Sequence, residues 1–161
     1  MIVFLDFDGV LHPDPCTDKG RLFEHAQRLA DSVKDFGEVG LVLSTAWRTV
    51  KPFGELLEVL PSDLRQRIVD ITPTFGDFEA PAPLIPYRRQ AECVQWLRQN
   101  RLQDDAWLAL DDRQDGFAPY CENLIACHPA TGFDIEAQAR LRSALLIHRQ
   151  RNRSEVDLLV I

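Results

Sequence analysis

The 161 residues, 45% of them apolar, suffice for one domain of ordinary size, residues 1–161, with a buried core. A net charge of −7 excludes nonspecific attraction to nucleic acid, which needs a basic footprint, but leaves a phosphorylated ligand open because a bound metal can reverse the local sign. No run approaches the roughly 18–20 apolar residues of a membrane span, and the amino terminus lacks the basic region of a signal peptide, so a cytoplasmic location off the membrane is expected.

In chain order, residues 2–5 form a short apolar run, the pattern of a strand buried on both faces of a parallel sheet. It ends in Asp6, Asp8 and Gly9. Between Arg21 and Phe36, apolar residues fall at Leu22, Ala26, Leu29, Ala30, Val33 and Phe36, which is the spacing of one helical face. A second buried strand, residues 39–43, ends in "STAWR". Residues 53–68 read as helical, with Pro61, Ser62 and Asp63 marking the end of one helix and the cap of another.

Prolines 73, 81, 83 and 86 make residues 72–87 a long surface excursion. A helix over residues 88–100 places Ala91, Val94 and Leu97 on one side. "AWLALDD" then gives a third strand ending in carboxylates, and residues 124–126 a fourth. Asp134 caps a last helix running to about Arg149, and the terminal "VDLLVI" reads as either a late strand or a packed tail. Apolar strands alternating with amphipathic helices predict an α/β, Rossmann-like fold: a central parallel sheet with helices on both faces. Ligands of such sheets bind at the carboxyl ends of the strands.

Three predicted strands deliver polar groups to that edge: Asp6 and Asp8, Ser44 and Thr45, Asp111 and Asp112. Either acidic pair alone is equally well a turn, where Asp and Gly satisfy the backbone. Together, carboxylates crowded at one sheet edge repel one another unless a cation compensates them, and an all-oxygen ligand set suits Mg²⁺ rather than zinc. Cys16, Cys93, Cys121 and Cys127 have neither zinc-site spacing nor disulfide-scaffold density and are expected to be reduced and mostly buried.

These residues carry a resemblance. "VFLDFDGVL" resembles the first motif of the haloacid dehalogenase-like (HAD) phosphohydrolase superfamily, "LVLST" the second, Arg88 or Arg89 the third and "LALDDR" the fourth. "LDDR" is similar to the phosphatase half of phage-type polynucleotide kinase phosphatases, and "DGVLHP" with "LSTAWR" to small HAD domains associated with RNA repair proteins. The resemblance implies a Mg²⁺-dependent phosphomonoester hydrolase. Asp6 would be the nucleophile that forms an aspartyl phosphate, and Asp8 the general acid and base. Ser44 or Thr45 would bind a phosphoryl oxygen, and Arg89, or Arg88 beside it, would neutralise the transferring group. Mg²⁺ would be held by Asp6, the Asp8 main-chain carbonyl and Asp112, with Asp111 as a supporting or alternative ligand.

Residues 11–20 and 72–87 are too short or too proline-rich for a cap domain. The resemblance implies that so open a site takes large phosphorylated substrates, such as nucleic-acid ends or phosphoproteins, with a nucleotide or other small molecule, or a cap supplied by another subunit, as the alternatives. The rivals are a catalytically silent metal- and phosphate-binding module and a metal-dependent nuclease. Trp47 reads foremost as a core residue, His12 and Asp115 as loop residues, Arg113 as a holder of the acidic pair, and the basic run from Arg149 to Arg153 as a solvated helix end.

Overall fold

The computed structural model describes residues 1–159, with side chains through residue 151. Five parallel strands form one sheet in the order β3-β2-β1-β4-β5, where β1 is Ile2–Leu5, β2 Gly40–Leu43, β3 Ile68–Ile71, β4 Trp107–Asp111 and β5 Leu124–Ala126. The helices are α1 (Ala26–Val33), α2 (Phe53–Glu58), α3 (Ser62–Arg65), α4 (Arg88–Gln99) and α5 (Ile135–Leu159).

Alternation along each strand divides the core in two. Val3, Leu5, Leu41, Leu43, Leu108 and Leu110 face α1, α2, α3 and α5, whereas Phe4, Val42 and Ala109 face Cys93, Trp96 and Leu97 of α4. Helices therefore cover both faces, which is why the strands are apolar throughout rather than alternating.

The sheet differs from expectation at its edge. Residues 68–71 were expected to end a helical segment or precede a loop; instead they form a fifth strand, β3, beside β2. As an edge strand it buries little, with Val69 57% exposed, so it lacks the apolar run that marks the inner strands. Helix α1 starts later than Arg21 because Phe23 adopts φ +59°, a left-handed conformation that interrupts the helix and leaves Leu22 on the surface.

Pro61 itself stands at the N-cap of α3 without a side-chain cap bond; Ser62 Oγ bonds to Asp63 instead. In α4 the buried side is Ala91, Glu92, Cys93, Trp96 and Leu97, with Val94 only half-buried. Asp134 does cap α5, its Oδ1 accepting from Ala137 N at 2.9 Å. That helix continues through residues 156–159, neither a strand nor a tail, and residues 160 and 161 lie outside the described residues. Arg149 is not a solvated end: it stacks on Phe36 at 4.1 Å and pairs with Glu38 at 3.0 Å. Residues 11–18 and 73–81 contain no helix or strand, and among the described residues no helix is long and apolar enough to cross a membrane. All four cysteines are free, two of them buried and two half-buried.

Candidate active site

The order in which strands are added reverses between β1, which leads to β2 and β3 on one side, and β4, which leads to β5 on the other. At such a switch point the loops leave in opposite directions and open a crevice at the carboxyl ends. Asp6 lies there, one residue past β1, and its N–H donates to Leu110 O in β4 at 3.1 Å. Asp111 ends β4 beside it, and Asp112 follows. Carboxylate oxygens of Asp6, Asp111 and Asp112 all lie within 4.8 Å of one another.

Burial governs their charge. Removal from water pushes the Asp6 carboxyl up to about 6, against the opposing pull of Arg89. Burial, reinforced by the nearby Asp6, raises Asp111 well above the usual carboxylate range, and burial raises Asp112 as well. Three hard oxygen donors with too little positive charge among them fit a divalent cation such as Mg²⁺.

Gly9 brings Asp112 into this set. Its φ of +66° turns the chain out of β1, and a side chain there would fall on the Asp112 carboxylate.

Arg89, in the first turn of α4, reaches across the crevice. One terminal nitrogen donates to Ser44 O at 2.7 Å and the other to Asp6 Oδ2 at 3.1 Å, while Nε lies 3.7 Å from Asp111. Arg88 points elsewhere, its guanidinium 5.2 Å from the centre of the Phe75 ring. Of the two hydroxyls after β2, Ser44 Oγ is buried without a hydrogen-bond partner, whereas Thr45 Oγ1 accepts from Trp47 N at 3.3 Å. An unpartnered buried hydroxyl is costly unless a ligand engages it.

Asp8 stands apart from the buried cluster. Its Oδ1 lies 3.0 Å from His12 Nε2, and Trp47 Nε1 donates to Oδ1 at 3.0 Å and Oδ2 at 2.9 Å. These bonds, His12 foremost, hold the Asp8 carboxyl below its ordinary value. Trp47 and His12 are thus neither a plain core residue nor an ordinary loop histidine. The i, i+4 spacing of Asp8 and His12 was the one local signal for this pairing.

Arg113 does not hold the acidic pair with its side chain. Only its N–H donates to Asp111, at 2.8 Å, and its guanidinium pairs with the exposed Asp115 at 3.2 Å, which keeps Asp115 out of the cluster. Glu92 also escaped sequence reasoning. Buried in α4, it pairs with Arg48 at 2.6 Å and accepts from Phe75 N at 2.8 Å, tying the proline-rich loop to the turn after β2.

A cleft of about 460 Å³ opens beside Arg89, lined among others by Arg48, Arg88, Arg113 and Phe75. Four arginines line it, and of these Arg48 pairs with Glu92 and Arg113 with Asp115, both also in the cleft.

The family model described as "HAD domain in Swiss Army Knife RNA repair proteins" matches residues 2–137. No curated protein and no solved structure matches the chain.

Proposed function

The chain belongs to the family of HAD domains in Swiss Army Knife RNA repair proteins, and from that membership we propose a Mg²⁺-dependent phosphomonoester hydrolase that works through Asp6. The observation that carries this reading is the convergence of Asp6, Asp111 and Asp112 with the Arg89 fork at the switch point of the sheet.

Mg²⁺ would be held by Asp6, Asp111, Asp112 and the Asp8 main-chain carbonyl, and when bound it supplies positive charge against the phosphoryl oxygens. The protein's own groups do the rest. An Asp6 carboxylate oxygen attacks phosphorus, and the bond to the leaving oxygen breaks with its electron pair on that oxygen. Asp8 gives the oxygen its proton and becomes a carboxylate. Asp8 then takes a proton from water as the hydroxide portion attacks phosphorus, and the bond to Asp6 breaks, releasing phosphate and restoring both carboxyl groups. Arg89 offsets charge on the transferring group, and the free hydroxyl of Ser44 donates to one of its oxygens.

The substrate is a phosphorylated nucleic-acid end or nucleotide. Support comes from the arginine-lined cleft, where the Arg88 guanidinium over the Phe75 ring suits a further phosphate, and from the RNA repair context of the family. The test is phosphate release from 3′- and 5′-phosphorylated oligonucleotides, the matching mononucleotides and p-nitrophenyl phosphate, each with and without Mg²⁺. Metal-dependent release faster from an oligonucleotide than from p-nitrophenyl phosphate is expected. Cleavage of internal phosphodiesters instead would favour a nuclease, and no release from any substrate a silent binding module.

The carboxyl cluster also sets a pH dependence. In the metal-free protein the folded state retains a proton on Asp6 up to about 6, whereas its ordinary value is 3.8. This contribution to stability is fully present below about pH 4 and is lost as the pH rises through about 6. A bound cation offsets the loss. At a hundredfold excess over Kd, binding contributes about 2.7 kcal/mol, and each kcal/mol shifts Tm by roughly 2–4 °C at this chain length. Mg²⁺ is therefore expected to raise Tm by roughly 5–10 °C at pH 7.5 and by clearly less at pH 5, measured by thermal unfolding. Equal shifts at both pH values would contradict a site built on these carboxylates.

A further inference from the structure

Resting on the phosphohydrolase reading above, we infer that His12 and Trp47 are positioning residues that aim the Asp8 carboxyl group at the leaving oxygen. Arg89 reaches Asp6 and Asp111 but not Asp8, whose side chain is 36% exposed. A half-exposed carboxyl on a turn would ordinarily rotate freely. Here it does not, because two donors from separate segments meet on it: His12 from the turn after β1, and the Trp47 indole from the turn after β2.

Each donor is itself held. Leu11 N donates to Phe7 O at 2.8 Å, closing a helical turn that stacks His12 directly over Asp8. The His12 ring is 1% exposed, and Phe23 N donates to its Nδ1 at 3.5 Å. With Nδ1 facing the Phe23 N–H, Nε2 is the ring nitrogen turned toward Asp8. Trp47 is fixed from below. Its ring meets Phe7 at 5.9 Å and Phe23 at 5.5 Å in edge-on contacts, and Thr45 caps the turn that carries it.

The aromatic box is therefore more than core. A half-buried indole N–H turned away from water needs an acceptor, and this one uses both oxygens of a single carboxylate 39 residues earlier in the chain. Tying both oxygens fixes the plane of the carboxylate that serves as base; when Asp8 serves as acid, Oδ2 carries the proton while Oδ1 still accepts from His12 and Trp47, which keeps the proton aimed at the atom it must reach. The same two bonds hold Asp8 in place when it takes the proton from water in the second step.

A merely structural role would slow every substrate alike, whereas an aiming role depends on the leaving group. p-Nitrophenolate departs without a proton; the alkoxide of a nucleoside monophosphate must receive one as it leaves. Trp47→Phe, which keeps the ring and loses the N–H, and His12→Leu are each expected to lower kcat/KM for the nucleoside monophosphate at least tenfold more than kcat/KM for p-nitrophenyl phosphate. His12→Gln, whose amide nitrogen can stand in for Nε2, is expected to restore most of that ratio. Both rates are read on one sample, so any loss of folded enzyme cancels.

Equal losses on the two substrates, or no loss on either, would overturn the inference while leaving the phosphohydrolase intact. A wild-type chain that releases phosphate from neither substrate would overturn that reading and the inference with it.

Discussion

Asp6→Asn is expected to lower phosphate release at least about 10⁴-fold, the scale on which loss of a nucleophile acts, without unfolding the chain. Asparagine matches aspartate in shape, but its single oxygen keeps only one of the two donors, the Phe7 N–H that reaches Asp6 Oδ1 at 2.7 Å or the Arg89 nitrogen on Oδ2, and its amide NH2 faces the other. What it loses is the negative charge and the nucleophilic oxygen. That charge is disfavoured in the metal-free protein, where burial raises the Asp6 carboxyl and Asp8 and Asp112 repel its ionised form. Removing the charge relieves that cost but also breaks the Arg89 ion pair, so the metal-free variant is expected to stay folded near pH 7.5 while its activity is lost. Activity and stability should move independently, as thermal unfolding and a phosphate-release assay on the same preparation would reveal. Substantial residual release, or a collapsed fold, would contradict the assignment.

Arg89→Ala carries the second largest effect, and here both properties fall together. The guanidinium bridges Ser44 O, Asp6 and Asp111, with Glu92 3.7 Å away. Its removal leaves buried carboxylates without their nearest positive charge. Breaking a buried pair by deleting one partner costs about 3–5 kcal/mol, and losing one preorganised donor to the transferring group costs about 10²–10³-fold in rate. Chemical denaturation and kcat/KM measure the two. Arg89→Lys should recover part of the stability but little of the rate, because an ammonium cannot span Ser44 O and Asp6 at once. Gly116 enforces this geometry, since a side chain there would come within 2.7 Å of Arg89 Cγ. An Arg89→Ala variant as active and as stable as wild type would remove Arg89 from the site.

The inner strands were legible because burial on both faces leaves continuous apolar runs, and their polar ends stood out against that background. Asp6, Ser44 and Asp111 are each the residue at which such a run meets the sheet edge. β3 was hidden for the same reason in reverse: at the edge, Val69 is exposed and Asp70 accepts from the Trp96 indole of α4, so the apolar run dissolves into a pattern that suits a helix equally well. The start of α1 depended on a single left-handed residue, Phe23, for which its residue type carries no signal.

Within the site, neighbouring residue pairs separated only in three dimensions. Arg88 and Arg89 are adjacent in sequence but point to Phe75 and Asp6 respectively, and Ser44 and Thr45 differ in whether a backbone N–H already occupies the hydroxyl. Trp47 meets Asp8 only because β1 and β2 are neighbours in register, Leu5 opposite Leu43. Glu92 was masked by its helix, where a buried acid is uncommon until Arg48 and Phe75 are brought to it.

The central claim is that Asp6 carries the phosphoryl group between the two half-reactions. The most direct measurement is intact-mass and peptide mass spectrometry of enzyme quenched in acid during turnover of a phosphorylated oligonucleotide with Mg²⁺. The account predicts one phosphoryl group per chain, on Asp6, absent from Asp6→Asn and absent without metal. Phosphate release that proceeds with no phosphoryl-enzyme and persists in Asp6→Asn would contradict it and leave a direct attack by water in its place.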